Sequence, residues 1–131
     1  MMGQRVVTTV GCLVILLAAV LEADAAGVRV RCEQRLNPPR SKASVDGFDL
    51  VPANGTFAAR LASGLNTATS GTQAAVADQV EFDFDSDAGD IAEGATAIAP
   101  DFIQNAQVTG SILDAAGNTV ATATAPCEVK R

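Results

Sequence analysis

The chain has 131 residues, with nine Lys or Arg against fifteen Asp or Glu, and it contains no His, Trp or Tyr. Without His it lacks the commonest general base and transition-metal ligand, and no Ser-His-Asp or Cys-His nucleophile can be assembled. A net charge of −6 repels phosphate backbones, and the missing Trp and Tyr remove the usual stacking platforms for sugars and single-stranded nucleic acid, so nucleic acid is not expected as a partner.

Met1 to Arg5 form a short n-region with one positive charge. Val6 to Leu21 is almost wholly apolar, and Ala23 and Ala25 fit the small-x-small pattern of signal peptidase cleavage after Ala25 or Ala26. The run is shorter than a spanning helix needs, and no Lys or Arg follows it as a stop-transfer signal. Residues 1–26 therefore read as a signal peptide, with no membrane attachment after cleavage. Cys12 lies within the apolar run and not after it, as a lipoprotein cysteine would, so it belongs to the removed segment.

Residues 27–131 then form one domain with two cysteines, Cys32 and Cys127, one near each end. In an exported protein an even pair implies a disulfide. Val28-Arg29-Val30-Arg31-Cys32 alternates apolar and charged, as does Cys127-Glu128-Val129-Lys130, so both cysteines point coreward. Asn37-Pro38-Pro39 predicts a turn, Ser41 to Val45 a short strand, and Asp46-Gly47 a hairpin turn. Pro52 to Gly55 predicts another turn, which is also the simpler reading of the sequon-like Asn54-Gly55-Thr56. Phe57, Ala59 and Leu61 share one phase of a strand, and Ser63 to Gln73 reads as a loop with a weak strand in it. Val80-Glu81-Phe82-Asp83-Phe84-Asp85 is the strongest strand signal. Asp90-Ile91-Ala92-Glu93 looks like a capping box opening a helical turn. Phe102 to Leu113 is strand-like, most clearly from Gln107, and a turn at Asp114–Asn118 leads to a partner strand at Thr119–Thr124. About seven short strands with frequent turns predict an all-β, immunoglobulin-like antiparallel sandwich with one disulfide. Abundant Ala and Gly predict a thin core built from small side chains and the Phe residues.

The segment Val108-Thr109-Gly110-Ser111-Ile112-Leu113-Asp114-Ala115-Ala116-Gly117-Asn118-Thr119-Val120 resembles the hairpin of carboxypeptidase-regulatory-like and related bacterial immunoglobulin-like modules. Those often read V-x-G-x-V-x-D-x-x-G-x-x-V, with a Pro after the Gly-Asn that this chain lacks. The likeness implies the sandwich fold and carries no functional residues with it. The whole chain also resembles small exported bacterial proteins, which implies no activity; the signal peptide implies a secreted or periplasmic location.

Seven carboxylates lie between Asp78 and Glu93. Asp83, Asp85 and Asp87 have the one-three-five spacing of a calcium loop, with Asp90 beyond, and hard cations take six to eight oxygens. The EF-hand pattern is broken, with Ala88 where Gly is needed and Gly94 where a bidentate Glu belongs. On a strand, alternate acids stand about 7 Å apart, too far to share an ion without the following turn. Calcium is the only cofactor these residues suggest; a solvated strand face with a helix cap is the alternative. Arg29, Arg31, Arg35, Arg40 and Lys42 cluster near the N-terminus, either as a patch for an anionic partner or as countercharges to the acidic strand. No pair of carboxylates is marked for glycosidase chemistry, since Asp46 and Asp49 read as turn residues. The expected function is therefore an exported, non-catalytic binding or structural module with a protein or surface partner, and the alternative is a calcium-binding protein.

Overall fold

The structure, a computed structural model, describes residues 25–131. The predicted signal peptide falls outside them except for Ala25 and Ala26, and Ala26 packs against the core. Strict alternation sets the first strands. β1 (Gly27–Leu36) turns Arg29, Arg31, Glu33 and Arg35 outward and Val28, Val30 and Cys32 inward. β2 (Pro39–Phe48) buries Ser41, Ala43, Val45 and Gly47 and presents Lys42, Ser44 and Asp46 to the outside. β3 (Thr56–Ser63), β4 (Asn66–Thr69) and the two-residue β5 (Gln73–Ala74) follow. β6 (Val80–Asp85) leads into a single helical turn, α1 (Ala88–Ala92), and the short β7 (Thr96–Ala97). The chain ends in β8 (Gln107–Leu113), β9 (Thr119–Pro126) and β10 (Glu128–Lys130).

These strands form an all-β sandwich of two sheets. Sheet I has the order β10-β1-β2-β6-β7 and sheet II the order β9-β8-β3-β4, with β5 also pairing β3. The central orders β1-β2-β6 and β9-β8-β3-β4 are those of the immunoglobulin-like sandwich. Pairing is antiparallel except at β10 with β1 and β6 with β7, which are parallel. The described residues thus hold ten strands where the turn spacing predicted about seven: the loops after β4 and α1 each add a two-residue pairing segment, and the Cys127–Lys130 alternation pairs as a strand of its own.

The core lies between the sheets, with Phe57, Phe82, Phe84, Leu50, Leu61, Ile112, Val45 and Val108 all but sealed from solvent. Phe102 and Ile103 fill it from the long β7–β8 connection. Phe48 is the exception among the five Phe: it is half-buried, with its ring lying over Gly27. The sheets approach closely on the β1 side, where small residues face each other. A Cβ on Gly110 of β8 would stand 2.7 Å from Val30 and 2.9 Å from Val45.

Gly47 corrects the predicted turn. Asp46 and Gly47 lie within β2, paired with Arg29 and Val28 on one side and Glu81 and Val80 on the other. Gly47 is needed for closeness, since a Cβ there would meet Ile112 at 3.1 Å. The reversal comes after Phe48, where Asp49 takes the left-handed region at φ 56. The Asp114–Asn118 turn forms as read: Asp114 Oδ1 accepts from the N–H groups of Ala116 and Asn118, and Gly117 sits at φ 87. Cys32 and Cys127 form the disulfide, joining β1 to the crossing from β9 to β10. Closing a loop with a sequence separation of 95 contributes about 4.7 kcal/mol in the chain-entropy model.

Candidate functional site

The outer face of sheet I is a charged lattice. Across the register, Arg31, Ser44 and Asp83 share one row, and Arg29, Asp46 and Glu81 the next. Glu128, Glu33, Lys42 and Asp85 share a third. Basic β1 and acidic β6 therefore flank β2, and much of the charge is compensated locally. Arg31 binds Asp46 at 3.0 Å, Arg35 binds Glu33 at 2.6 Å, and Lys130 approaches Glu33 at 3.5 Å. The Arg35 bond holds the Glu33 carboxyl below its ordinary pKa. These exposed pairs contribute little individually. Among the described residues, no cation lies within salt-bridge distance of Glu81 or Asp83.

The acidic residues singled out for calcium take four different roles. Asp83 stays on the open face of β6. Asp85, at the end of that strand, is only 2% exposed and receives two bonds from Arg40, at 3.0 Å and 2.8 Å. A third oxygen contact comes from the Asp87 N–H at 2.9 Å. Asp87 caps α1, with Oδ2 accepting from Gly89 and Asp90 N–H groups. Asp90 returns to Arg40, at 2.6 Å. The cap is thus Asp87, three residues earlier than the predicted capping box, and Asp90 occupies the first turn. Ser86 is held to β2 by backbone and side-chain bonds to Ser41, so Asp87 is the first residue free of the strand, and its Oδ2 is already in place to accept from Gly89 and Asp90.

Arg40 organises this cluster. It has the position between Asp85 and Asp90 that a divalent ion would need. Among the described residues, no group of three or more Cys, Asp or Glu is gathered so as to hold a metal ion. Burial alone would raise the Asp85 pKa; the bonds from Arg40 and from the Asp87 N–H outweigh it and hold the carboxyl at about 2. Asp90 moves the other way, raised by its proximity to Asp85 on the same guanidinium. Asp85 also pushes Arg40 further above its ordinary value, so the guanidinium is permanently charged.

Three hydroxyl and amide side chains fix the β7–β8 connection beside this cluster. Buried Ser41 donates to the Pro100 carbonyl at 2.8 Å and accepts from Ile103 N–H at 3.2 Å. Ser63 accepts from Gln104 N–H and donates to Gln107 C=O. Asn66 donates to Phe102 C=O. A pocket of about 470 Å³, lined in part by Lys42, Gln73, Glu81, Asp83, Asp90 and Glu93, opens between β6 and α1. A second, of about 310 Å³, lies among Arg31, Glu33, Lys42, Asp83 and Glu128. Both are open depressions of the charged face.

The outer face of sheet II is different in kind. Thr69, Arg60, Ser111 and Thr122 form one cross-strand row, and Thr67, Ala62, Thr109 and Thr124 the next. Thr109 and Thr124 hydroxyls lie 2.7 Å apart, and Ser111 and Thr122 hydroxyls 3.0 Å apart. This hydroxyl lattice was not singled out in the sequence, although Thr67-x-Thr69, Thr109-x-Ser111 and Thr122-x-Thr124 are visible there at strand spacing. No protein-family model, curated protein or solved structure matches the chain.

Proposed function

We propose that the chain is an exported, non-catalytic binding or structural module acting outside the cytoplasm. The observation that carries this is the bonding of Asp85. It is the most perturbed carboxylate described, yet its oxygens are taken by Arg40 and the Asp87 N–H, so it clamps α1 to sheet I and is not available as an acid or base. The Cys32–Cys127 bridge supports an oxidising compartment, as does the signal-like segment before Ala26. The calcium reading has less support, because the cation already seated among Asp85 and Asp90 is a guanidinium.

The test is the intact mass of the protein recovered from outside the cytoplasm of its expressing cell. The expected mass is that of residues 26–131 or 27–131 less two hydrogens. A full-length or reduced product would overturn the reading. Adding calcium to the recovered protein is expected to leave its melting temperature where a magnesium control leaves it.

A further inference from the structure

Each sheet must end somewhere, and most of the edges here are blunt. β7 has two residues and is soon followed by Pro100. β10 has three and carries Glu128 and Lys130. β4 has four, and its Asn66 side chain is tied to the β7–β8 connection. β5 has two. Short length and charge are the ordinary protections of an open edge.

β9 is neither short nor charged, and its proline (Pro126) and its register shift at Val120 lie only at its two ends. It runs for eight residues, and no charge occurs from residue 115 to residue 127. It pairs with β8 only, and the backbone groups on its far side have no partner strand among the described residues. The one irregularity, a register shift at Val120, lies at its start and leaves Ala121–Pro126 regular.

We infer that this edge pairs with the same edge of a second copy, antiparallel and about a two-fold axis at Ala123. The side-chain order is self-complementary in that register. Thr122 of each copy meets Thr124 of the other on the outer face, and Ala121 meets Ala125 on the inner face. Sheet II already holds this contact internally, at Thr124 with Thr109 and Thr122 with Ser111. A hydroxyl offers one donor and two lone pairs, so a Thr bonded on the β8 side can still bond across the new pair. The hydroxyl pairs of β8 and β9 would then run on into those of the second copy. An unrelated strand could use the backbone edge but would have no reason to match Thr-Ala-Thr read backwards; an isologous contact does so by symmetry. The inference concerns association alone and stands whether or not the chain is exported.

The experiment is sedimentation velocity of the protein expressed from its full sequence and purified as the cell leaves it, from low micromolar to several hundred micromolar. A dimer that grows with concentration is expected. Thr122→Lys/Thr124→Lys sets Lys against Lys twice and is expected to weaken association tenfold or more. Thr122→Lys/Thr124→Glu sets Lys against Glu in the stated register and is expected to restore it. Both sites are exposed, and far-UV circular dichroism confirms that each variant is folded. A wild-type monomer at every concentration, with the edge left to a foreign strand or to solvent, overturns the inference. A double-lysine variant that associates like wild type does so as well, and failure of the Lys/Glu variant to recover refutes the register.

Discussion

Replacing Arg40 with Met tests the account of the acidic cluster most directly. The side chain of Asp85 is 2% exposed and that of Arg40 is 21% exposed. Arg40→Met therefore orphans the deeply buried partner, which keeps only the Asp87 N–H. Breaking such a pair from one side costs about 3–5 kcal/mol. Asp85→Leu orphans the partner that retains Asp90 at 2.6 Å and access to water, so its cost should be smaller, about 1–2 kcal/mol. The double variant removes both charges and should fall within about 1 kcal/mol of wild type, since apolar replacement of a whole buried pair is often neutral. The coupling energy is then about 3 kcal/mol or more. Urea unfolding at neutral pH, followed by far-UV circular dichroism because Trp and Tyr are absent, measures all four corners. Arg40→Met should also lower the melting temperature by roughly 12–20 °C. A cost below about 1 kcal/mol for Arg40→Met, or additive single effects, would refute the clamp.

Acid should expose the same cluster. The unfolded Asp85 takes its proton near 3.8 and the native one near 2, so its stabilisation of about 2 kcal/mol is complete above pH 5 and disappears between about pH 4 and 2. Asp90, raised in the native state, acts in the opposite sense: its protonation favours folding as pH falls through that raised value toward 3.8. Denaturant titrations from pH 7 to 2 should show this, and Asp85→Asn should flatten the acid limb; an unchanged limb contradicts the assignment. Gly110→Ala puts a methyl 2.7 Å from Val30 and should cost about 1–3 kcal/mol, with Val30→Ala in the same chain recovering part of it; a neutral Gly110→Ala would mean the sheets yield freely. Ala77 and Ala106 both sit at φ 51 in two-residue reversals, so Ala77→Gly with Ala106→Gly should raise stability by about 1 kcal/mol in thermal melts, and a lower melting temperature would argue against strain there. Reduction of the disulfide should cost about 4–5 kcal/mol; equal melting curves with and without reductant would show that the bridge does not stabilise the fold.

Local patterns carried the frame. The alternation of β1, the Val-Glu-Phe-Asp-Phe-Asp run of β6 and the Asp114–Asn118 turn each depend on neighbours in sequence, and each formed where it was read. The bridge followed from cysteine count and phase. What stayed hidden depends on distant partners. Arg40 reaches Asp85 across 45 positions, and nothing near either residue marks the other. Asp46-Gly47 has the composition of a turn, and only the arrival of Ile112 from the opposite sheet explains why a glycine lies mid-strand. Asp83, Asp85 and Asp87 have the spacing of metal ligands, but spacing cannot show that a guanidinium will occupy the space between Asp85 and Asp90. The hydroxyl rows needed the register of four strands, although each contributing pair could be read alone.

The course of the last residues has a consequence for the order of events during synthesis. β1 finds its parallel neighbour β10, and Cys32 its covalent partner, only in residues 127–130. β9, which lies against β1 from the other sheet, is the last long strand to be made. A nascent chain therefore cannot close the β1 side of the sandwich until nearly all of it is available, and the early segments wait with their apolar faces uncovered. If the chain is exported as proposed above, that delay would keep the fold from locking until residue 130 had crossed, and closure would take place where the cysteines can be oxidised.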